Sequence, residues 1–297
     1  MKKIKIFLDN SVLYNRLIYF RNKYLVNDKN FVEKSYKKKT GRKLNIIKPV
    51  TYNEKIQWLK LYWHNEQASL FANKIYLNSM IENKYGSSYI NHIYGIYSKF
   101  DEIDFNNLPE SFVIKTNHGS GYNIIVKNKK EMDIKKIKKT INYWMSVNYF
   151  YQNREWVYKN IEKKIFIEEY IETNDEFGLL DYRVFCFNGT PRLITVDFNI
   201  NDKSKTKRDI YSIEWKKLDE RITYPNSTYI LKKPILLNQM LKISSELTSM
   251  FPHARVDFYV LQNSIRIGEV TFFHQSGYGK FFNDSFEVEL GNMIEIE

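Results

Sequence analysis

One cysteine, Cys186, is all this chain contains. An internal disulfide framework and a cysteine-built zinc site are therefore excluded. The five histidines show no metal-binding spacing. No apolar run approaches ~18 residues, so nothing reads as membrane-spanning. The opening Met-Lys-Lys-Ile-Lys-Ile-Phe-Leu is cut by Asp9 and Asn10, short of the apolar core of a secretory signal. The expected location is the cytoplasm. No internal repeat is visible. Acidic residues are scarce at one end only: residues 1–48 hold 14 Lys/Arg against 3 Asp/Glu, whereas the rest holds 32 against 31. The net charge of +12 is thus concentrated in an N-terminal segment. The neutral body argues against a nucleic-acid-binding fold.

What is present suits a globular protein. The chain has 297 residues, 43% hydrophobic and 27% charged, and a length over ~150 suggests about two domains. Residues 11–25 predict a helix with a stripe of Leu13, Leu17, Phe20 and Tyr24, flanked by Arg16, Arg21 and Lys23. Residues 34–48 read as a polar basic connector. Thr51-x-x-Glu54 is a capping-box pattern opening a helix to about Tyr62. Further helices are expected over 67–84, from Asp133 to about 147, and over 235–250. Strands are expected at 112–115, 124–127, 165–171, 182–187, 193–199, 255–260 and 265–273. Several strand pairs look like hairpins, which favours an α+β class.

Four groups of residues can carry chemistry. Lys115 precedes the small-residue loop His118-Gly119-Ser120-Gly121. Backbone N–H groups there can approach phosphate, and the lysine supplies a point charge. An ordinary glycine hairpin reads equally well, and no Walker A pattern is present. Asp257 and Glu269 lie in strands joined by the turn-like Leu261–Ser264, among apolar neighbours. Such carboxylates need a partner: Mg²⁺ with substrate phosphates, or a structural ion pair with Arg255, which shares the Asp257 face. In Glu168-Glu169-Tyr170 one glutamate must face the covered side, where an adenine amino group or ribose hydroxyl would suit it. Asp181 and Arg183 share a face and can contact phosphate or pair together. His118 and His274 are placed to line a site; Cys186 and the helical tryptophans read as core.

The order of these groups resembles the ATP-grasp superfamily, and more narrowly its teichuronopeptide-biosynthesis (TupA-like) family. The resemblance rests on five blocks within residues 35–290: Pro49–Tyr62, Phe112–Gly121, Asp181–Gly189, Arg255–Tyr259 and Gly268–Phe273. It implies two α+β lobes clamping ATP. It also implies a partition of the chain into a basic helical segment (1–48), a mainly helical region (49–108), a small lobe (109–174) and a large lobe (175–297). By resemblance, Lys115 holds phosphate and the 118–121 loop closes over it. Glu168 and the backbone of Glu169, Tyr170 and Ile171 meet adenine, with Asp181 and Lys127 as further nucleotide contacts. Asp257, Glu269 and Thr271 hold Mg²⁺, and Arg255 and Arg183 serve the transferred phosphoryl group. Two positions depart from the superfamily pattern. Thr271 stands where most members have asparagine. Asn78 stands where many carry a second basic phosphate contact, for which Lys74, one turn earlier, can substitute.

The activity implied is ATP- and Mg²⁺-dependent amide formation between a carboxylate and an amine through an acyl phosphate, in capsular or cell-wall polysaccharide synthesis. A glycan-modifying phosphotransferase or glycosyltransferase-like enzyme, and a non-catalytic ATP-binding assembly protein, are the alternatives. The basic residues 1–48 suggest peripheral contact with an anionic membrane at its inner face, at ~1 kcal/mol per nearby charge. A solvated basic helix packed on the body is the plainer expectation.

Overall fold

The computed structural model describes residues 12–296 apart from 174–177, 201, 203, 262 and 263. The lysine-rich start and the centre of the expected 261–264 turn lie outside the described residues.

The N-terminal half begins with helices. α1 (Val12–Tyr24) is followed by α2 (Asp28–Thr40). α2 corrects the expected connector: Phe31, Val32 and Tyr36 are buried with Leu44 and Ile46, while Lys37, Lys38 and Lys39 point outward. Basic composition masked an amphipathic pattern. Gly41, at φ +77°, ends the helix with its N–H on the Lys37 carbonyl.

α3 (Tyr52–Tyr62) starts at a complete capping box. Glu54 accepts from the N–H groups of Asn45, Val50 and Thr51 at 3.0–3.1 Å. Glu54→Ala is expected to cost about 1–2 kcal/mol, read from urea denaturation midpoints. The single helix expected over 67–84 is two, α4 (Glu66–Ala72) and α5 (Lys74–Tyr85). Asn73 breaks it, because its side chain accepts from Ile75 N and caps the second helix.

Two antiparallel sheets follow. The smaller has the order β1-β4-β2-β3, built from β1 (Ile93–Tyr97), β2 (Phe112–Thr116), β3 (Asn123–Val126) and β4 (Ile165–Glu169). β1 comes from the stretch expected to be helical, ahead of the boundary drawn at 109. Phe112 and Ile114 on β2 join Ile165 and Ile167 on β4 in one core, closed by Ile137 and Ile141 of α6 (Ile134–Ser146). Alternation then turns Val113, Lys115 and Glu168 to the opposite face. A short α7 (Phe150–Asn153) follows α6.

The larger sheet has the order β10-β9-β5-β6-β7-β8. Its strands are β5 (Asp181–Phe187), β6 (Thr190–Phe198), β7 (Lys207–Tyr211), β8 (Lys217–Leu218), β9 (His253–Leu261) and β10 (Ser264–Thr271). Its apolar face packs under α8 (Leu237–Thr248), which contributes Leu237, Met240, Ile243 and Leu247. α9 (Asp284–Asn292) returns to α3: Asn53 donates to Glu287 at 2.7 Å. The other face of this sheet is polar, and it carries the candidate site residues of β5, β9 and β10.

Candidate active site

Strand register assembles a row of charges across that face. β10 bulges at Gly268, so Glu269 rather than its neighbour stands opposite Asp257, and Thr271 stands opposite Arg255. On the far side of β9, Arg183 is opposite Asp257. Asp181 is opposite Asp197, and Asp197 is opposite Arg208. Five strands thus contribute to one band of acidic and basic side chains.

The side chains close the band. Arg255 grips both Asp257 oxygens, Nε to Oδ1 at 2.6 Å and Nη2 to Oδ2 at 2.5 Å. The same Nη2 lies 3.4 Å from Glu269 Oε1 and donates to Thr271 Oγ1 at 3.2 Å. Thr271 donates to Glu269 at 3.1 Å. Arg183 donates to Asp181 at 2.6 and 2.9 Å and to Asp197. Lys74 donates to the Gly119 carbonyl at 2.7 Å and lies 3.5 Å from Glu269 Oε2. α5 therefore anchors the glycine loop to the carboxylate strand.

The two facing carboxylates differ in character. Burial pushes Asp257 up to about 7, with Arg255 pulling the other way. Burial acts on Glu269 too, but Lys74 and Arg255 outweigh it and hold that carboxyl at about 2. Their oxygens are hard donors in the charged surroundings that a small dication tolerates.

Two cavities adjoin this band, and Ile200 lines both. One, of about 310 Å³, is bounded by Lys115, Lys127, Glu168, Glu169, Tyr170 and Ile171 together with Asn91 and Tyr259. Lys115 pairs with Glu168, which also accepts from Asn91 at 3.2 Å. The Glu169 side chain turns across to Arg266 of the large sheet. The other cavity, of about 370 Å³, is bounded by Ser120, Arg183, Arg255, Glu269, Thr271 and His274, with Glu155 and Arg208.

Most of the singled-out residues therefore meet at these cavities. His118 does not: its Nε2 meets the Trp144 carbonyl at 3.1 Å, its ring packs near Tyr122, and it lines neither cavity. Gly121, at φ +73°, also lines neither and turns the loop; Lys74, Gly119, Asp181 and Asp257 line neither and join the band through the contacts above. The ion pair weighed for Arg255 is present, to both Asp257 and Glu269.

Three features escaped the sequence reading. Asp197 was legible as an acid at an alternating position of an apolar strand. Arg208 was not, because Lys207-Arg208-Asp209 reads as surface. Glu155 lines the second cavity and accepts from Ser276 Oγ at 2.5 Å. Ser276 belongs to a run of left-handed residues, Gln275, Ser276 and Gly277, at φ 47°, 55° and 66°. Strain of this kind persists only where neighbours fix it; Gln57 and Lys60 do so, donating to the Gly277 and Ser276 carbonyls at 2.6 and 2.5 Å.

The family model described as TupA-like ATPgrasp matches residues 54–295, most of the chain. The chain belongs to the TupA-like ATP-grasp family. No curated protein matches it. Solved structures similar to it include a D-alanine–D-alanine ligase from Bacillus anthracis, at 15% identity and TM-score 0.48 over 83% of this chain and 69% of that one. The D-alanine–D-alanine ligase of Helicobacter pylori has 17% identity and TM-score 0.44 over 82% and 69%. The ATP-grasp ligase PsnB, in a complex with Mg and ADP, has 10% identity and TM-score 0.41 over 77% and 59%. The Lys115 cavity takes its walls from both sheets: Val113, Lys115 and Glu168 from the smaller and Tyr259 from the larger.

Proposed function

We propose that this protein is an ATP-dependent carboxylate–amine ligase of surface-polysaccharide synthesis. The observation that carries the reading is the Asp257–Glu269 cross-strand pair bracketed by Arg255, with Lys74 and Lys115 beside it. ATP takes the Lys115 cavity: Glu168 and the backbone of residues 169–171 offer acceptors and donors to a purine edge, and Lys115 and Lys127 offer positive charge to phosphate. Asp257 and Glu269, with Thr271 near them, hold Mg²⁺, whose part is to neutralise phosphate charge.

The chain's own residues then position and stabilise. A carboxylate oxygen of one substrate attacks the γ-phosphorus and ADP leaves. Arg255 neutralises charge on the transferring group. An amine nitrogen next attacks the acyl carbon, phosphate departs, and the nitrogen loses a proton to give the amide. Holding both substrates beside the band supplies the orientation. Incubation with ATP, Mg²⁺, D-glucuronate and a panel of amines, hydroxylamine among them, tests this. ADP and phosphate should appear in equal amounts only when carboxylate and amine are both present. Phosphate without ADP, or turnover indifferent to the amine, counts against the ligase. A stable phosphorylated sugar with ADP favours the phosphotransferase.

α1 supports a peripheral location on an anionic membrane. Its Tyr19 and Asn22 face the body, where the Tyr19 hydroxyl accepts from Asn148 N and Asn22 donates to the Tyr151 carbonyl. Leu17, Phe20 and Tyr24 are 62, 56 and 59% exposed. An apolar stripe facing outward between basic residues suits the surface of an anionic bilayer. No helix among the described residues is long and apolar enough to cross a membrane. Leu17→Ser with Phe20→Ser is expected to halve, or better, the fraction sedimenting with phosphatidylglycerol vesicles at low salt. Equal pelleting of both proteins would remove this reading.

A further inference from the structure

The second cavity contains buried donors that the chain leaves idle. Arg208 is 1% exposed. Its Nε and Nη2 donate to the two Asp197 oxygens at 2.6 Å each. Its Nη1 has no partner among the described residues. A guanidinium has five N–H groups, so both on Nη1 are unspent in a place where an unmet donor costs about 1–3 kcal/mol.

His274 supplies another. Its Nδ1 meets Arg255 Nη1. A guanidinium nitrogen can only donate, so Nδ1 accepts and the ring proton sits on Nε2. Burial and the neighbouring Arg255 both hold the ring neutral. The Nε2 hydrogen, on a residue also 1% exposed, has no partner either. Arg208 and His274 line the same cavity. β7 and the turn after β10 thus each bring to the wall of one cavity a residue with an unpaired N–H group, closed off from solvent in this structure.

We propose that Arg208 and His274 form an anion subsite that takes the carboxylate of the substrate. This deepens the ligase reading and rests on it. The surroundings choose the anion. Asp197 is shared between Arg208 and Arg183, and Arg255 already holds Asp257. Glu155 and Glu269 line the same cavity. Each arginine therefore faces a carboxylate, and a dianionic phosphate would meet about twice the repulsion that a monoanion meets. The subsite also abuts Arg255 through His274, which keeps the bound carboxylate next to the guanidinium that serves phosphoryl transfer. Arg208 is a binding residue in this scheme, and His274 both binds and orients Arg255.

Ring ¹⁵N spectra of the histidine-labelled full chain test the subsite without turnover. The His274 signal is assigned by its loss in His274→Gln. Acetate and D-glucuronate should shift the Nε2–H resonance, and methyl D-glucuronate ester should not. In Arg208→Lys, which keeps a cation for Asp197, the half-saturating acetate concentration should rise tenfold or more. An ester that shifts the signal like the acid, inorganic phosphate that outcompetes acetate, or no response to acetate would each overturn the proposal. The acid–ester comparison uses the wild-type chain, so it stands even if the variant fails to fold. ATP binding on the same sample separates the two readings: intact ATP binding without an acetate response ends the subsite alone, whereas an acetate response without ATP binding ends the ligase.

Discussion

Asp257→Asn is expected to lower ATP turnover by at least 10³-fold, about 4 kcal/mol of transition-state stabilisation. Two effects combine. The amide carries no charge, so the facing pair could no longer hold the dication proposed for it against phosphate. It also leaves the guanidinium of Arg255, buried and gripped at 2.5 and 2.6 Å, with one neutral acceptor in place of a carboxylate. Breaking a buried pair from one side typically costs about 3–5 kcal/mol. Here Glu269, 3.4 Å from the same Nη2, remains as a second anion, so the loss should fall at or below the lower end. The fold should survive with a lower denaturation midpoint. ADP release and urea melts on the same preparation separate the two costs. Retention of a tenth of wild-type turnover would remove Asp257 from the site. Lys115→Ala should show the complementary pattern: a large loss of ATP affinity, with Glu168 keeping Asn91 as its neutral partner.

How far these residues were readable depended on whether their signal was local. Strand alternation exposed Lys115, Glu168, Asp257 and Glu269, because a charge among β-branched neighbours is anomalous within five residues. Thr51 and Glu54 likewise announced their helix at a fixed spacing. The bulge at Gly268 was invisible, although it decides that Glu269 opposes Asp257. Register is a property of two strands, and one sequence shows each strand alone. Arg208 was missed for the same reason: only its pairing opposite Asp197 draws it into the band. α2 was missed through composition, since Lys37, Lys38 and Lys39 hid the buried Phe31, Val32 and Tyr36. For His118 the local signal and the structure differ. Its place in a glycine loop pointed to a ligand, but the ring found the carbonyl that ends α6 nearby.

Arg255→Met should move two measurements in opposite directions. Arg255 Nη2 sits between the carboxylates, 2.5 Å from Asp257 and 3.4 Å from Glu269. In the proposed site a guanidinium and a divalent cation would compete for the same oxygens, and each would have to be partly displaced to admit the other. Methionine keeps the apolar stem near Phe185, over whose ring the guanidinium now lies at 6.0 Å, and it ends the competition. Mg²⁺ should then bind the ADP-loaded protein several-fold more tightly, read by calorimetry. Turnover should fall about 10²–10³-fold, because no other guanidinium among the described residues meets both Asp257 and Glu269 and charge on the transferring group would go unmatched. A merely damaged site would lose metal affinity and turnover together. That joint loss would show that Arg255 organises the carboxylates rather than competing for them, and unchanged turnover would show that it takes no part in the chemistry.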